Sequence, residues 1–134
     1  MVGLSSHSVF AAMENEIPEI TDTLPSEMLV GATLRGREYG WSIESFPQAL
    51  AAAKTLGYAC LGGQFQFRID DGSVCEMYWL GADPKDPVPG ESWSDYCNRS
   101  GAEVFNSFQH LTSTADFRKE ASSWPSISID HAKT

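Results

Sequence analysis

The sequence has few basic residues and no long apolar run. Its 9 Lys and Arg residues face 18 Asp and Glu residues, a formal net charge of -9. A chain of this sign repels phosphate backbones, which argues against nucleic acid as a partner. The most apolar stretch, residues 46–61, is broken by Pro47, Lys54 and Gly57 and falls short of the roughly 20 apolar residues that span a bilayer. We therefore predict no nucleic-acid partner and no membrane span.

Cysteine is scarce, and its spacing fits neither a disulfide framework nor a metal site. Cys60, Cys75 and Cys97 are odd in number and too far apart for the paired short spacings of zinc sites. We interpret them as buried free thiols and expect no metal and no cofactor.

Residues 1–12 lack the basic start and continuous apolar run of a secretory signal, which predicts a cytoplasmic protein.

Motifs that specify a reaction are also missing. There is no glycine-rich phosphate loop with its Lys, no nucleophile elbow and no pair of histidines at helical spacing. His7, His110 and His131 are scattered along the chain. The sequence therefore favours a binding protein over an enzyme.

The residues that are present suffice for one folded domain. Hydrophobic residues make up 42% of the 134-residue chain, and no repeat or Gly/Ser-rich linker divides it. We predict a single domain over residues 1–134, with a loose acidic segment at about 1–27 and a frayed C-terminus at about 126–134. Within the loose segment, the spacing of Val9, Phe10 and Met13 predicts a short helix over about 9–16.

Local patterns predict the order of the remaining elements. β-branched and aromatic residues predict strands at 28–34 and 39–43. Ser45 as a candidate cap, Pro47 in the first turn and Gly57 just past the end predict a helix of about eleven residues after them. A long helix, interrupted by Gly101, follows the proline-rich segment 81–90. Ser113 or Thr114 is a candidate cap for a last short helix. Together with the hairpin described next, this is an α+β fold: a small antiparallel sheet with helices packed on one face.

The clearest strand signal lies in the middle of the chain. Residues 64–69 alternate polar and apolar, the turn sequence 70–73 follows, and residues 74–80 form the second arm of an antiparallel hairpin. Phe65 and Phe67 should face the core. The expected core face of the second arm comprises Cys75, Met77 and Trp79. The opposite face comprises Gln64, Gln66, Arg68, Glu76 and Tyr78, with the glutamines toward solvent. If this face is uncovered, it forms a flat polar surface that suits recognition of another protein.

Acidic residues cluster between the hairpin and the long helix. Asp83, Asp86, Glu91 and Asp95 are opposed there only by Lys85. The cluster fits either a solvated surface that keeps the protein soluble or a patch that meets a basic partner. For the second interpretation we assign these four residues as primary contacts, with Glu76, Tyr78 and Trp41 as secondary contacts.

In general character the chain resembles the immunity proteins of bacterial toxin systems. The resemblance covers the strand-rich centre, from Tyr39 through Gly62-Gly63-Gln64-Phe65-Gln66-Phe67 and Cys75-Glu76-Met77-Tyr78-Trp79-Leu80 to the Trp93 helix. It implies a small intracellular protein that binds and neutralises a toxin domain. Toxin nucleases are basic because they hold phosphate, so an acidic inhibitor would be steered to them rapidly.

Two alternatives remain open from the sequence. The first is a small ligand-binding domain or Cys-dependent enzyme, with a pocket between the sheet and the Trp93 helix lined by Cys60, Cys97, Tyr96 and His110. The second is an adaptor subunit that docks through its acidic N-terminal segment.

Overall fold

The computed structural model describes residues 2–5, 10–11, 24–35, 38–68, 74–122 and 124. Within these ranges the chain forms two antiparallel sheets and three α-helices, which confirms the predicted α+β fold. The strands are β1 Val2–Ser5, β2 Phe10–Ala11, β3 Ala32–Arg35, β4 Glu38–Ser42, β5 Ala59–Cys60, β6 Gly63–Arg68 and β7 Val74–Ala82. The helices are α1 Phe46–Leu56, α2 Trp93–Thr114 and α3 Phe117–Ala121, with a 3-10 turn at Ser26–Met28.

The main sheet has the strand order β3-β4-β1-β6-β7, and β2 pairs with β5 separately. β1 is hydrogen-bonded to β4 on one side and to β6 on the other. The expectation of one loose segment over residues 1–27 is therefore wrong at β1, since this backbone is paired along both edges. The predicted helix at 9–16 is wrong at Phe10–Ala11, where strand pairing replaces it. Its remaining residues, like the C-terminus at 126–134, lie outside the described residues.

All three helices pack on the same face of the main sheet. Trp41 of β4 and Phe65 of β6 both pair with Leu4 of β1, so the two rings lie in one row across that face. The Trp41 ring lies 5.9 Å from Phe46 of α1, and the Phe65 ring lies 5.8 Å from Phe108 of α2 and 5.5 Å from Phe117 of α3. The predicted arrangement of helices on one face is confirmed.

Helix α1 begins and ends where its sequence predicts. Pro47 lies in its first turn, and Gly57 ends it in the left-handed conformation at φ 79°, which glycine adopts without steric cost. Phe46, Leu50 and Ala53 are buried as predicted, whereas Leu56 is exposed. Ser45 precedes the helix but makes no side-chain capping bond.

Capping side chains define the starts of the other helices. The Ser92 hydroxyl accepts a hydrogen bond from the Asp95 amide at the start of α2. Asp116 accepts one from the Lys119 amide at the start of α3, so the cap predicted at Ser113 or Thr114 lies two or three residues later. Strand β3 likewise begins later than predicted, at Ala32, because the 3-10 turn occupies Ser26–Met28.

The predicted hairpin is confirmed, but a bulge interrupts its second arm. Gln64 and Phe65 are neighbours on β6, yet they pair with Gly81 and Met77 of β7. Residues 78–80 are therefore extra on β7 and shift its alternation. Cys75 and Met77 are buried as predicted, but Trp79 is 47% exposed, so its predicted core position is wrong.

The polar face of β6 is closed, contrary to the prediction. Gln66 is 0% exposed and Arg68 is 2% exposed. The Arg68 guanidinium donates to the Gln66 side-chain oxygen at 2.6 Å, to the Thr33 carbonyl at 2.8 Å and to the Glu38 carbonyl at 3.2 Å. Because Arg68 reaches across the sheet to β3 and β4, the expected flat polar surface does not exist at these two residues.

Candidate functional site

Three of the four predicted primary contacts, Asp83, Asp86 and Glu91, lie in a proline-rich loop, Asp83–Ser92, which we call the acidic loop. The fourth, Asp95, lies in the first turn of α2. The tip of the acidic loop is a tight turn in which the Glu91 amide donates to the Val88 carbonyl at 3.0 Å. Pro89 and Gly90 occupy the central positions, and Gly90 has φ 85°. A proline followed by a glycine of positive φ is the sequence that a type II turn requires. The tip is therefore held in one defined conformation.

Arg99 of α2 fastens the acidic loop to the helix. Its guanidinium meets both carboxylate oxygens of Glu91, at 2.7 and 2.9 Å, and one oxygen of Glu103 at 2.7 Å. It also donates to the carbonyls of Lys85 and Asp86, each at 3.1 Å. A planar guanidinium suits such forked contacts in a way that an ammonium does not. One side chain thus joins both halves of the acidic loop to α2.

Sequence reasoning missed Arg99. The spacing of Arg99 and Glu103, four residues apart on a helix, was a visible signal for an ion pair. The pairing of Arg99 with Glu91 was not visible, because Glu91 precedes the helix and reaches it only after the chain turns.

The four primary acidic residues divide into two groups. Asp83, Asp86 and Asp95 are exposed, which leaves their carboxylates available to a partner. Glu91 is not: its hydrogen bond to Arg99 lowers the pKa of its carboxyl, and its side chain is only 9% exposed. Glu91 is therefore the least available of the four residues, since its charge is already paired with Arg99, and its assignment as a partner contact stays a prediction.

The acidic loop also carries an exposed apolar side chain. Val88 at the turn is 57% exposed, and Pro87 and Pro89 beside it are exposed as well. An apolar centre within a charged surround is the usual composition of a protein interface.

The secondary contacts Glu76 and Tyr78 lie on β7, where both are exposed. Tyr78 is 77% exposed and packs edge-on against Trp79, with ring centres 5.1 Å apart. The Trp79 ring nitrogen donates to Glu120 of α3 at 3.1 Å. The bulge of β7 therefore presents two large rings to solvent, one of which is tied to a helix.

Trp41, the third secondary contact, is not at the surface. It is 1% exposed and donates from its ring nitrogen to the Met28 carbonyl at 2.8 Å. Its ring packs edge-on against Phe10 at 5.7 Å. The assignment of Trp41 as a partner contact is wrong, because a side chain packed in the core cannot reach a partner.

A groove of about 370 Å³ lies between α1 and α2; we call it the helix groove. Apolar and small side chains form most of its wall, together with Lys54, Tyr58 and Asn98. Of the residues predicted to line a pocket, it contains Cys60 and Cys97. His110 is exposed at a different hollow, beside Gly81 and Leu111, and Tyr96 packs with Trp93 and Ala59. The four-residue pocket predicted between sheet and helix is not formed.

The cysteines of the helix groove are neutral thiols. Burial raises the pKa of Cys60 to about 12, and burial likewise raises the pKa of Cys97, whose thiol donates to the Gly57 carbonyl at 3.5 Å. Cys60, Cys75 and Cys97 are all buried thiols that form no disulfide, as predicted. A reactive cysteine needs a lowered thiol pKa, so the geometry of these two thiols opposes nucleophilic catalysis.

Within the described ranges, no three His, Cys, Asp or Glu side chains are grouped to hold a metal ion. In the same part of the chain, no helix combines the length and apolar character needed to cross a membrane.

Comparison of the chain with family models, curated proteins and solved structures yielded no match.

Proposed function

We propose that the chain is an intracellular binding protein that docks its acidic loop onto a basic patch of a partner protein. The observation that carries this proposal is the four hydrogen bonds by which Arg99 holds the loop. A loop that is ordered before binding avoids part of the ordering cost of association. Surface loops positioned by a rigid scaffold commonly carry binding residues.

The charges of the loop and of the adjoining first turn of α2 support a basic partner. Asp83, Asp86 and Asp95 are exposed on a chain whose formal net charge is -9. Complementary charge increases the rate of association and suppresses partners of the wrong sign. Val88 supplies the apolar centre of the same surface.

The aromatic pair Tyr78 and Trp79 extends this surface. Tyr78 and Asp83 are five positions apart in the sequence, so the chain between them spans at most about 18 Å. A standard interface of about 800 Å² per partner is roughly 30 Å across, so both features fit one footprint. Exposed Tyr and Trp rings are frequent anchors in protein interfaces.

The specific form of the proposal follows from the resemblance to bacterial immunity proteins: the partner is a basic toxin domain, which the chain neutralises by covering it. Acidic complementarity suits this role because nucleic-acid-cleaving toxins are basic at their substrate-binding surface.

The test is an affinity capture with matched charge variants. The double variant D83K/D86K and the control E27K/E44K change the net charge equally, and all four positions are exposed. We expect one basic protein to be captured by the wild type and by the control at low salt, but not by D83K/D86K. Equal capture by both variants would exclude the acidic loop as the docking site.

A second measurement separates an immunity protein from an adaptor. The captured partner is purified and its enzymatic activity is titrated with the chain. Stoichiometric loss of activity supports neutralisation, whereas full activity in the saturated complex supports an adaptor. Deletion of residues 1–27 is unsuitable as a test of the adaptor alternative, because it removes β1 from the centre of the main sheet.

A further inference from the structure

The helix groove contains space that the described residues do not fill. Gly101 of α2 lines it, and a Cβ atom built on this glycine meets no atom within 4 Å. Glycine weakens a helix interior relative to alanine. Close packing does not require a glycine at position 101, because the methyl group of an alanine would fit there without touching another residue. The glycine therefore keeps the groove open without serving the packing of α1 on α2.

The walls of the helix groove divide into an apolar part and a polar part. Leu50, Ala53 and Phe105 line it together with the two protonated thiols. Lys54, Tyr58 and Asn98 also line it, and within the described residues none of these three side chains forms a hydrogen bond or an ion pair. Their donor groups are available to a molecule that enters the groove.

The size and charge of the groove define a class of ligand. Its volume, about 370 Å³, lies at the lower end of the roughly 300–1,000 Å³ of small-molecule sites. Lys54 is the one charged residue among the lining residues. Its positive charge attracts an anionic group of a ligand and repels a cationic one. We propose that the helix groove binds a small amphipathic carboxylate, with its apolar body against Leu50 and Phe105 and its carboxylate at Lys54.

Binding in this groove would be non-covalent. Both thiols in the wall are buried, and a thiol that stays protonated is a poor nucleophile. The site lies between α1 and α2, and none of its lining residues belongs to the acidic loop. The two proposals can therefore fail separately.

The test uses decanoate as the probe and decanol as its uncharged counterpart. Binding to the full chain is measured by calorimetry and by NMR shifts of groove residues. We expect saturable binding of decanoate, weakened at least fivefold in Lys54→Gln and unchanged in the control Lys119→Gln, which removes the same charge from α3. Decanol should bind equally to wild type and Lys54→Gln.

Substitution of Gly101 tests the location of binding. Gly101→Ala should weaken decanoate binding, and Gly101→Leu should abolish it by filling the groove. Both variants should melt at or above the wild-type temperature, which shows that lost binding is not lost folding. The absence of saturable decanoate binding to the wild type, or unchanged binding in Gly101→Leu, would overturn the site. Equal affinity for decanoate and decanol would overturn the assignment of a carboxylate.

Discussion

The guanidinium of Arg68 lies directly over Gly40, so that a Cβ atom built on Gly40 would approach the Arg68 Cζ atom to 2.5 Å. Arg68 has little freedom to move away, because it is buried and bonded to Thr33 of β3 and Glu38 of β4. Position 40 therefore requires glycine, because the buried Arg68 guanidinium occupies the space that a side chain at this position would need.

This contact predicts that Gly40→Ala lowers the free energy of unfolding by about 1–3 kcal/mol, the usual cost of forcing an extra methyl into a packed site. Urea denaturation measures it, with Gly101→Ala as a control that should be neutral or stabilising. In an Arg68→Met background the penalty of Gly40→Ala should shrink. An equal penalty in both backgrounds would contradict the proposed clash.

Replacement of Arg99 should loosen the acidic loop. In Arg99→Lys, one ammonium cannot bond Glu91, Glu103 and two loop carbonyls at once. We expect severalfold faster hydrogen exchange at the amides of Val88 and Glu91, both of which are bonded within the turn. Arg118→Lys, at an exposed position of α3, is the matched control. Unchanged hydrogen exchange in Arg99→Lys would show that the turn is stable without the hydrogen bonds from Arg99.

Trp41 should matter for stability and not for binding. Trp41→Phe leaves a cavity and removes the donor to the Met28 carbonyl, at an expected cost of about 2 kcal/mol in the free energy of unfolding. Trp93→Phe loses the half-exposed bond to the Gly57 carbonyl and should cost less. Thermal and urea unfolding compare the two variants. A loss of partner capture by folded Trp41→Phe would contradict its assignment to the core.

The thiol of Cys60 should make the protein less stable at alkaline pH. Its pKa is raised from 9.0 to about 12 in the folded state, so above pH 9 the unfolded chain releases this proton and the folded chain keeps it. The folded state then holds more protons, and stability falls with rising pH, by up to about 1.4 kcal/mol per unit for one group. Below pH 8 this group has no effect on the pH dependence.

The measurement is urea unfolding between pH 8 and 10.5 for the wild type and Cys60→Ala. The variant should be less stable throughout, because it loses buried atoms, but its stability should decline less steeply above pH 9. Parallel curves would mean that the thiol ionises equally in both states.

The parts of the fold that the sequence predicts depend on local periodicity. Helix α1 and the β6–β7 hairpin have strong patterns, with the caps or turn residues expected at their ends. Strand β1 is short, and its partners on β4 and β6 lie more than 30 residues away, so no local pattern marks it as central. The sequence does not predict the bulge of β7 either. A bulge is defined by the pairing between two strands, here by the residues of β7 that pair with Gln64 and Phe65 of β6.

In the candidate site too, some features follow from the local sequence and others depend on residues that are distant in the sequence. Exposed charge at Asp83 and Asp86 is predictable from a proline-rich, acidic segment. Whether a given carboxylate is available depends on a cation contributed by another element, and Glu91 is paired because the turn brings it to Arg99. The burial of Trp41 depends on three-dimensional packing against Phe10 and Phe46, which its flanking residues do not indicate.

The position of β1 has a consequence for how the chain folds. Without β1, the main sheet separates into the β3–β4 pair and the β6–β7 pair, which are not paired with each other through their backbones. Strand β1 precedes the other strands of this sheet in the sequence, so it completes the sheet only after residues 63–68 have been synthesised. Pairings over such sequence separations slow folding. We expect the rate-limiting step to be the insertion of this early strand between two preformed hairpins.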